Sequence, residues 1–175
     1  MRLHRLLPIL IFCTWICASP HPVSAQILEQ TFSENLADFS ISTPSPQWNF
    51  APRSITPGVL RATLRYQTSV DQFIPNVTVR VTAAVNPETK LKDLIEEDLK
   101  GLPQKIEVLS KDPIHQGTID GYEVQMRDPK AQVRFIQRIF LAKEKNFVLT
   151  GAAKETTWPR FEGDIKKILN SFEIR

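Results

Sequence analysis

From Val59 onward, apolar and polar residues alternate along the chain. Leu60, Ala62, Leu64 and Tyr66 interleave with Arg61, Thr63, Arg65 and Gln67, the period of two that a half-buried strand requires. Val77, Val79 and Val81 alternate with Thr78, Arg80 and Thr82 in the same way. The period then changes. Asn86-Pro87-Glu88 offers a capping side chain followed by proline in the first helical turn. Leu91, Leu94, Ile95, Leu99 and Leu102 mark one face of the helix, which Gly101 and Pro103 end. A strand is expected over 105–109, and residues 111–117 read as a turn between strands. Asp120-Gly121 is a two-residue hairpin signal, joining a strand through Ile119 to one carrying Tyr122, Val124 and Met126. Residues 132–142 are apolar on both alternating sets (Val133, Phe135, Ile139 and Leu141, with Ile136 and Phe140), which predicts a central strand covered on both faces. The polar turn Lys143-Glu144-Lys145-Asn146 leads into a strand over 147–153. Thr157 stands where it can cap a helix with Phe161, Ile165, Ile168, Leu169 and Phe172 on one stripe.

Upstream the pattern is less regular. Residues 43–58 hold Pro44, Pro46, Pro52 and Pro57, which excludes a regular helix or a central strand. Trp48, Phe50 and Ile55 sit among those prolines, so a long loop pinned onto the core is expected. Residues 26–38 have only loose helical spacing at Ile27, Phe32, Leu36 and Phe39, and their state is left open. The order is strands, a helix, four more strands and a closing helix, with connections of hairpin length. The expected fold class is α+β: a twisted, mainly antiparallel sheet flanked by the two helices, in one domain over 39–175.

The N-terminus is of another kind. Arg2 and Arg5 precede an apolar stretch over 6–18, 13 residues long, against the roughly 20 that span a bilayer core. Val23-Ser24-Ala25 then supplies small residues where a signal peptidase reads. We place the cut between Ala25 and Gln26, with Ala18 as second choice, over a buried or anchoring helix. Phe12 and Ile16 precede Cys13 and Cys17, and lipid attachment needs a small residue there. Cleavage removes both cysteines and two of the three histidines, leaving His115. This excludes disulfides, Cys-based zinc sites and Cys nucleophiles in the mature chain. Loss of Arg2 and Arg5 from 22 basic residues leaves 20 against 19 acidic, a net charge of +1. The basicity of the full sequence therefore gives no support to a nucleic-acid role.

Candidate chemistry in the mature chain is sparse. A Ser–His–Asp relay would have to use His115, and no Gly-x-Ser-x-Gly elbow accompanies it. No Asp-x-Asp-x-Asp-Gly calcium loop and no Gly-rich phosphate loop occur. Glu96, Glu97 and Asp98 are adjacent on a helix and so fan apart by about 100° each. Asn76-Val77-Thr78 matches a glycosylation sequon, which matters only in a eukaryotic secretory host. Trp48 and Trp158 are expected in the core rather than stacked on a ligand. The polar sides of the strands carry Arg61, Arg65, Arg80, Arg127, Arg134 and Arg138. Several of these on one sheet face would make a basic binding patch for an acidic partner, anionic lipid or carboxylated ligand; pairing with Glu123 and its neighbours across strands would neutralise them.

Several segments occur in a telling order. Pro75-Asn76-Val77-Thr78-Val79-Arg80-Val81 precedes a helix rich in leucine and acidic residues. Ile119-Asp120-Gly121-Tyr122, Arg138-Ile139-Phe140-Leu141 and Phe147-Val148-Leu149-Thr150-Gly151 follow, and Ile168-Leu169-Asn170-Ser171-Phe172 ends the last helix. In that order they resemble the DcrB/PsbP-like families over residues 39–175. The resemblance implies a PsbP-like α/β/α sandwich used for binding or assembly, with no shared catalytic centre and no functional residue to carry over. The lipobox cysteine found in many exported relatives is missing, which argues against membrane anchoring. The expectation is a periplasmic or secreted, non-catalytic accessory or assembly factor of the bacterial envelope, binding a protein partner and needing no cofactor. The alternative is a carrier of an apolar ligand or lipid held between sheet and helix.

Overall fold

The computed structural model describes residues 31–34, 38–51, 54–56, 59–84 and 90–175. The export signal with its Ala25 and Gln26 boundary, and the Asn86-Pro87-Glu88 cap, lie outside the described residues. Short strands β1 (Thr31–Glu34), β2 (Phe39–Ser42), β3 (Trp48–Phe50) and β4 (Ser54–Thr56) precede the longer β5 (Val59–Tyr66) and β6 (Asn76–Ala83). Helix α1 (Leu91–Lys100) follows. Then come four ten-residue strands, β7 (Glu107–Gln116), β8 (Ile119–Asp128), β9 (Val133–Ala142) and β10 (Lys145–Lys154). A 3-10 turn (Glu155–Thr157) leads into α2 (Trp158–Asn170), and β11 (Glu173–Ile174) closes the chain.

The main sheet runs β3-β5-β6-β10-β9-β8-β7, with β4 beside the other end of β5, and every described pairing in it is antiparallel. Helix α2 covers one face. Its Trp158, Phe161, Ile165, Ile168 and Leu169 are buried in a cluster with Leu64, Val77, Val79, Ile136, Phe140 and Leu149. Each such side chain contributes about 1.5–3 kcal/mol on leaving water, enough to hold a helix whose sequence includes Pro159 and Gly163. Helix α1 covers part of the opposite face, burying Ile95 against Val124, Met126, Ile139 and Val148. The α+β class is thus as the alternation implied, with one helix on each side.

Four local expectations need correction. The strand expected over 105–109 runs from Glu107 to Gln116, so residues 111–116 are strand rather than turn. An edge strand exposed along most of its length carries no apolar alternation to betray it. The hairpin turn falls at Gly117-Thr118, where Gly117 has φ of 63°, and Asp120-Gly121 lies inside β8. Gly121 is needed for space instead: a Cβ there would stand 2.5 Å from the Phe140 ring. Thr157 precedes α2 without capping it by its side chain; its Oγ1 donates to the Lys154 carbonyl oxygen at 3.3 Å. The proline-rich stretch over 43–58 contains β3 and β4, both confined to the sheet edge beside β5, where proline is tolerated.

A second, three-stranded sheet of order β1-β2-β11 closes the end of the α2 layer. Phe39 and Ile41 are fully buried there, and the Phe39 ring lies 5.6 Å from that of Phe172. Part of the segment left open by sequence is therefore strand, over 31–34.

Candidate functional site

Because α1 packs on β9 and its neighbours, it leaves the β5-β6 side of its sheet face with no described element over it. Alternation decides what that face presents. Leu64, Val77, Val79, Phe147 and Leu149 point into the α2 core, so Thr63 and Arg65 of β5 and Asn76, Thr78, Arg80 and Thr82 of β6 belong to the other side. Thr150 and Asn146 of β10 continue it, with Gln137 of β9 opposite Thr150. On β5, β6, β9 and β10 no position of this face is Asp or Glu. At its centre, Thr78, Arg80, Gln137, Val148 and Thr150 line a depression of about 260 Å3, floored by the 3.3 Å bond from Gln137 Nε2 to Thr150 Oγ1.

Of the six arginines singled out by sequence, the Arg61 side chain lies outside the described ones; its backbone pairs in register with Arg80. Arg65 and Arg80 belong to this open face. Arg65 and Arg80 are exposed. Among the described residues neither has an ion-pair or hydrogen-bond partner. Arg127, Arg134 and Arg138 lie on the α2 side and are engaged there. Arg127 Nε donates to Glu107 Oε2 at 2.6 Å, and the Glu107 carboxylate raises the guanidinium pKa above its ordinary value. The Arg134 guanidinium sits 5.3 Å from the centre of the Trp158 ring, a cation–π contact.

Arg138 is buried. Its Nε donates to Glu123 Oε2 at 2.9 Å, and its Nη1 donates to Gln116 Oε1 at 3.0 Å and Asn170 Oδ1 at 2.7 Å. Gln116 Nε2 in turn donates to the carbonyls of Leu169 and Phe172, satisfying groups that a helix C-terminus leaves open. Pairing with Glu123, anticipated from sequence, thus consumes Arg138 in a brace between the β7–β8 hairpin and the end of α2. A pocket of about 310 Å3 opens beside this brace, lined by Gln116, Ile119, Phe140, Phe172 and Ile174 among others.

His115 lies on β7 with Nδ1 donating to Asp120 Oδ1 at 2.8 Å, and both side chains are largely exposed. Among the described residues Asp120 is its one recorded partner, and no three His, Cys, Asp or Glu side chains converge. Trp48 and Trp158 are buried, and Trp48 Nε1 donates to Asp164 Oδ2 at 3.1 Å. No helix among the described residues is long and apolar enough to cross a membrane. Sequence pattern found the cations and their alternation; the division between faces needed the register.

No protein-family profile matches the chain, and no curated protein matches it. Solved structures do. Cyanobacterial PsbP (CyanoP) from Synechocystis sp. PCC 6803 superposes with a TM-score of 0.62 at 15% identity, over 91% of this chain and 99% of that one. LpqN of Mycobacterium tuberculosis, described as involved in cell envelope biogenesis, gives 0.59 at 14% identity, over 84% and 90%. PA94 from Pseudomonas aeruginosa, a protein of unknown function, gives 0.58 at 11% identity, over 84% and 97%. With its antiparallel sheet, a helix on each face and near-complete coverage of these structures, the chain has the PsbP-like fold.

Proposed function

We propose that this chain is an exported, non-catalytic accessory protein of the cell envelope, which holds a protein partner against the open half of its sheet. The observation that carries the reading is the face over which no described element lies. It is a floor of threonines, Gln137 and, among the described residues, the unpaired Arg65 and Arg80, beside a helix that covers only the neighbouring strands. Binding residues placed on strands are held more accurately than residues placed on loops. The export signal read from sequence and the envelope role of LpqN favour a periplasmic or secreted location. Between α2 and the sheet, large side chains fill the space, which favours a partner held outside the core over an apolar ligand carried within it.

The test is affinity capture by the exported protein from an envelope fraction, with proteins and lipids both identified by mass spectrometry. A protein partner should be recovered with the native sequence and lost with Thr63→Trp, which fills the middle of the open face. Reproducible lipid with no protein partner overturns the reading, as does a partner indifferent to that substitution.

A further inference from the structure

We infer that the open face binds an acidic segment in extended conformation, running along β5 and β6 with carboxylates four residues apart. The inference rests on the binding role proposed above and adds the chemistry of what is bound.

Charge is the first argument. The face offers Arg65 and Arg80 without a carboxylate on β5, β6, β9 or β10. Lys154, at the end of β10, is turned away to the Ala131 carbonyl oxygen at 2.7 Å. Elsewhere the protein pairs its strand arginines: Arg127 with Glu107 and Arg138 with Glu123. Arg134 lies over the Trp158 ring, whereas Arg65 and Arg80 have neither kind of partner among the described residues.

Spacing is the second. Arg80 stands four residues along β6 from Asn76, the register partner of Arg65, about 13 Å at the rise of a strand. Side chains at i and i+4 of an extended ligand lie on one side of it at the same interval. One carboxylate then meets Arg65, and the other meets Arg80 at the 260 Å3 depression. Thr78 and Thr150, which line it, supply hydroxyls there. Thr63 and Thr78, paired in register between the two ends, leave room for the residue at i+2.

The third argument separates a segment from a surface. Helix α1 stands on the same sheet face. A helix adds a layer about 10 Å thick, so a flat membrane surface approaching this face would rest on α1 before it reached the arginines. A narrow chain lying beside α1 is not so obstructed.

The probe is a fluorescent octapeptide with two Glu four residues apart and Thr at the other positions, titrated by anisotropy against the exported protein at low and physiological salt. Controls are its Lys-for-Glu counterpart, inorganic phosphate and phosphatidylglycerol vesicles. The Glu peptide should bind and weaken with salt, while the Lys peptide does not bind. Arg80→Glu and Arg65→Glu should each weaken binding about fivefold or more, with Arg80→Gln and Arg65→Gln intermediate and thermal unfolding unchanged. Equal binding in either reversal variant overturns the inference. So does vesicle binding that depends on the same arginines, or displacement by phosphate that depends on Arg80 alone. If the envelope partner is lost with Thr63→Trp yet retained by both reversal variants, the acidic segment is wrong and the binding role stands. If Thr63→Trp also retains the partner, the binding role itself fails.

Discussion

Arg138 and Glu123 are both nearly shut off from solvent, with side chains 10% and 15% exposed. A pair so placed is costly to break and cheap to replace: removing one partner strands a buried charge, at about 3–5 kcal/mol. Arg138→Met should therefore lower stability by that order, and Arg138→Met with Glu123→Met should restore most of it, as read from urea midpoints. Asp128 sets a different residue-scale expectation. Lys105 lies 2.8 Å from its Oδ2, and the Ala131 amide donates to Oδ1 at 2.9 Å. Lys105 first, then that amide, holds the Asp128 carboxyl below its ordinary 3.8. The folded value is below the unfolded one, so the stabilisation is complete above about pH 4 and is lost as pH falls through the folded value. Asp128→Asn should lower stability at neutral pH and flatten the acid limb of a stability–pH curve; an unchanged acid limb would refute the linkage. At Gly151 a Cβ would collide with Ile165 Cγ2 of α2. This glycine serves close packing of helix on sheet rather than a turn, as Gly121 does beneath Phe140.

At the scale of elements, the β9–β10 hairpin turns on Lys143 and Glu144, whose φ values are 49° and 56°. Two left-handed residues match the twist of the strands, but neither side chain favours that region. Lys143→Asn with Glu144→Gly should raise stability by about 1 kcal/mol, measured by thermal unfolding; a loss would mean the native turn side chains contribute more than the backbone strain costs. Strand β7 is defended as an edge. Its register slips between Val108 and Ser110, Pro113 removes an amide, and Glu107, Lys111 and Asp112 are exposed, all devices against pairing with another chain. Strands β5 and β6 were legible because each has one wet and one dry face. Only the start of β7 was, since exposure on both sides erases the period of two over 110–116. The β2–β11 pairing joins residues more than 130 positions apart, which no local pattern can announce.

At the scale of the molecule, β10 lies between β6 and β9, with α2 on one side and Val148 under α1 on the other. Amide exchange should accordingly be slowest in β6, β9 and β10 and fastest in β7 and β1, because global opening is needed to expose the former. Native-state hydrogen exchange decides this; equal protection in β7 and β10 would contradict it. The same layering divides the arginines, burying or pairing one group beneath α2 and leaving the other on the open half of the α1 face.

The sequence by itself determined the α+β class, the inward and outward sides of β5 and β6, both helical faces and the arginines in play. Each follows from a period of two or 3.6 residues, written locally in side-chain polarity. Tertiary structure alone decided which arginines share a face, that Arg138 braces the end of α2, and that α1 stops short of β5. Those depend on strand order and register. Strand β6 pairs with β10 across an intervening helix and three strands, so their relation is set by packing between distant segments and not by any stretch of chain alone.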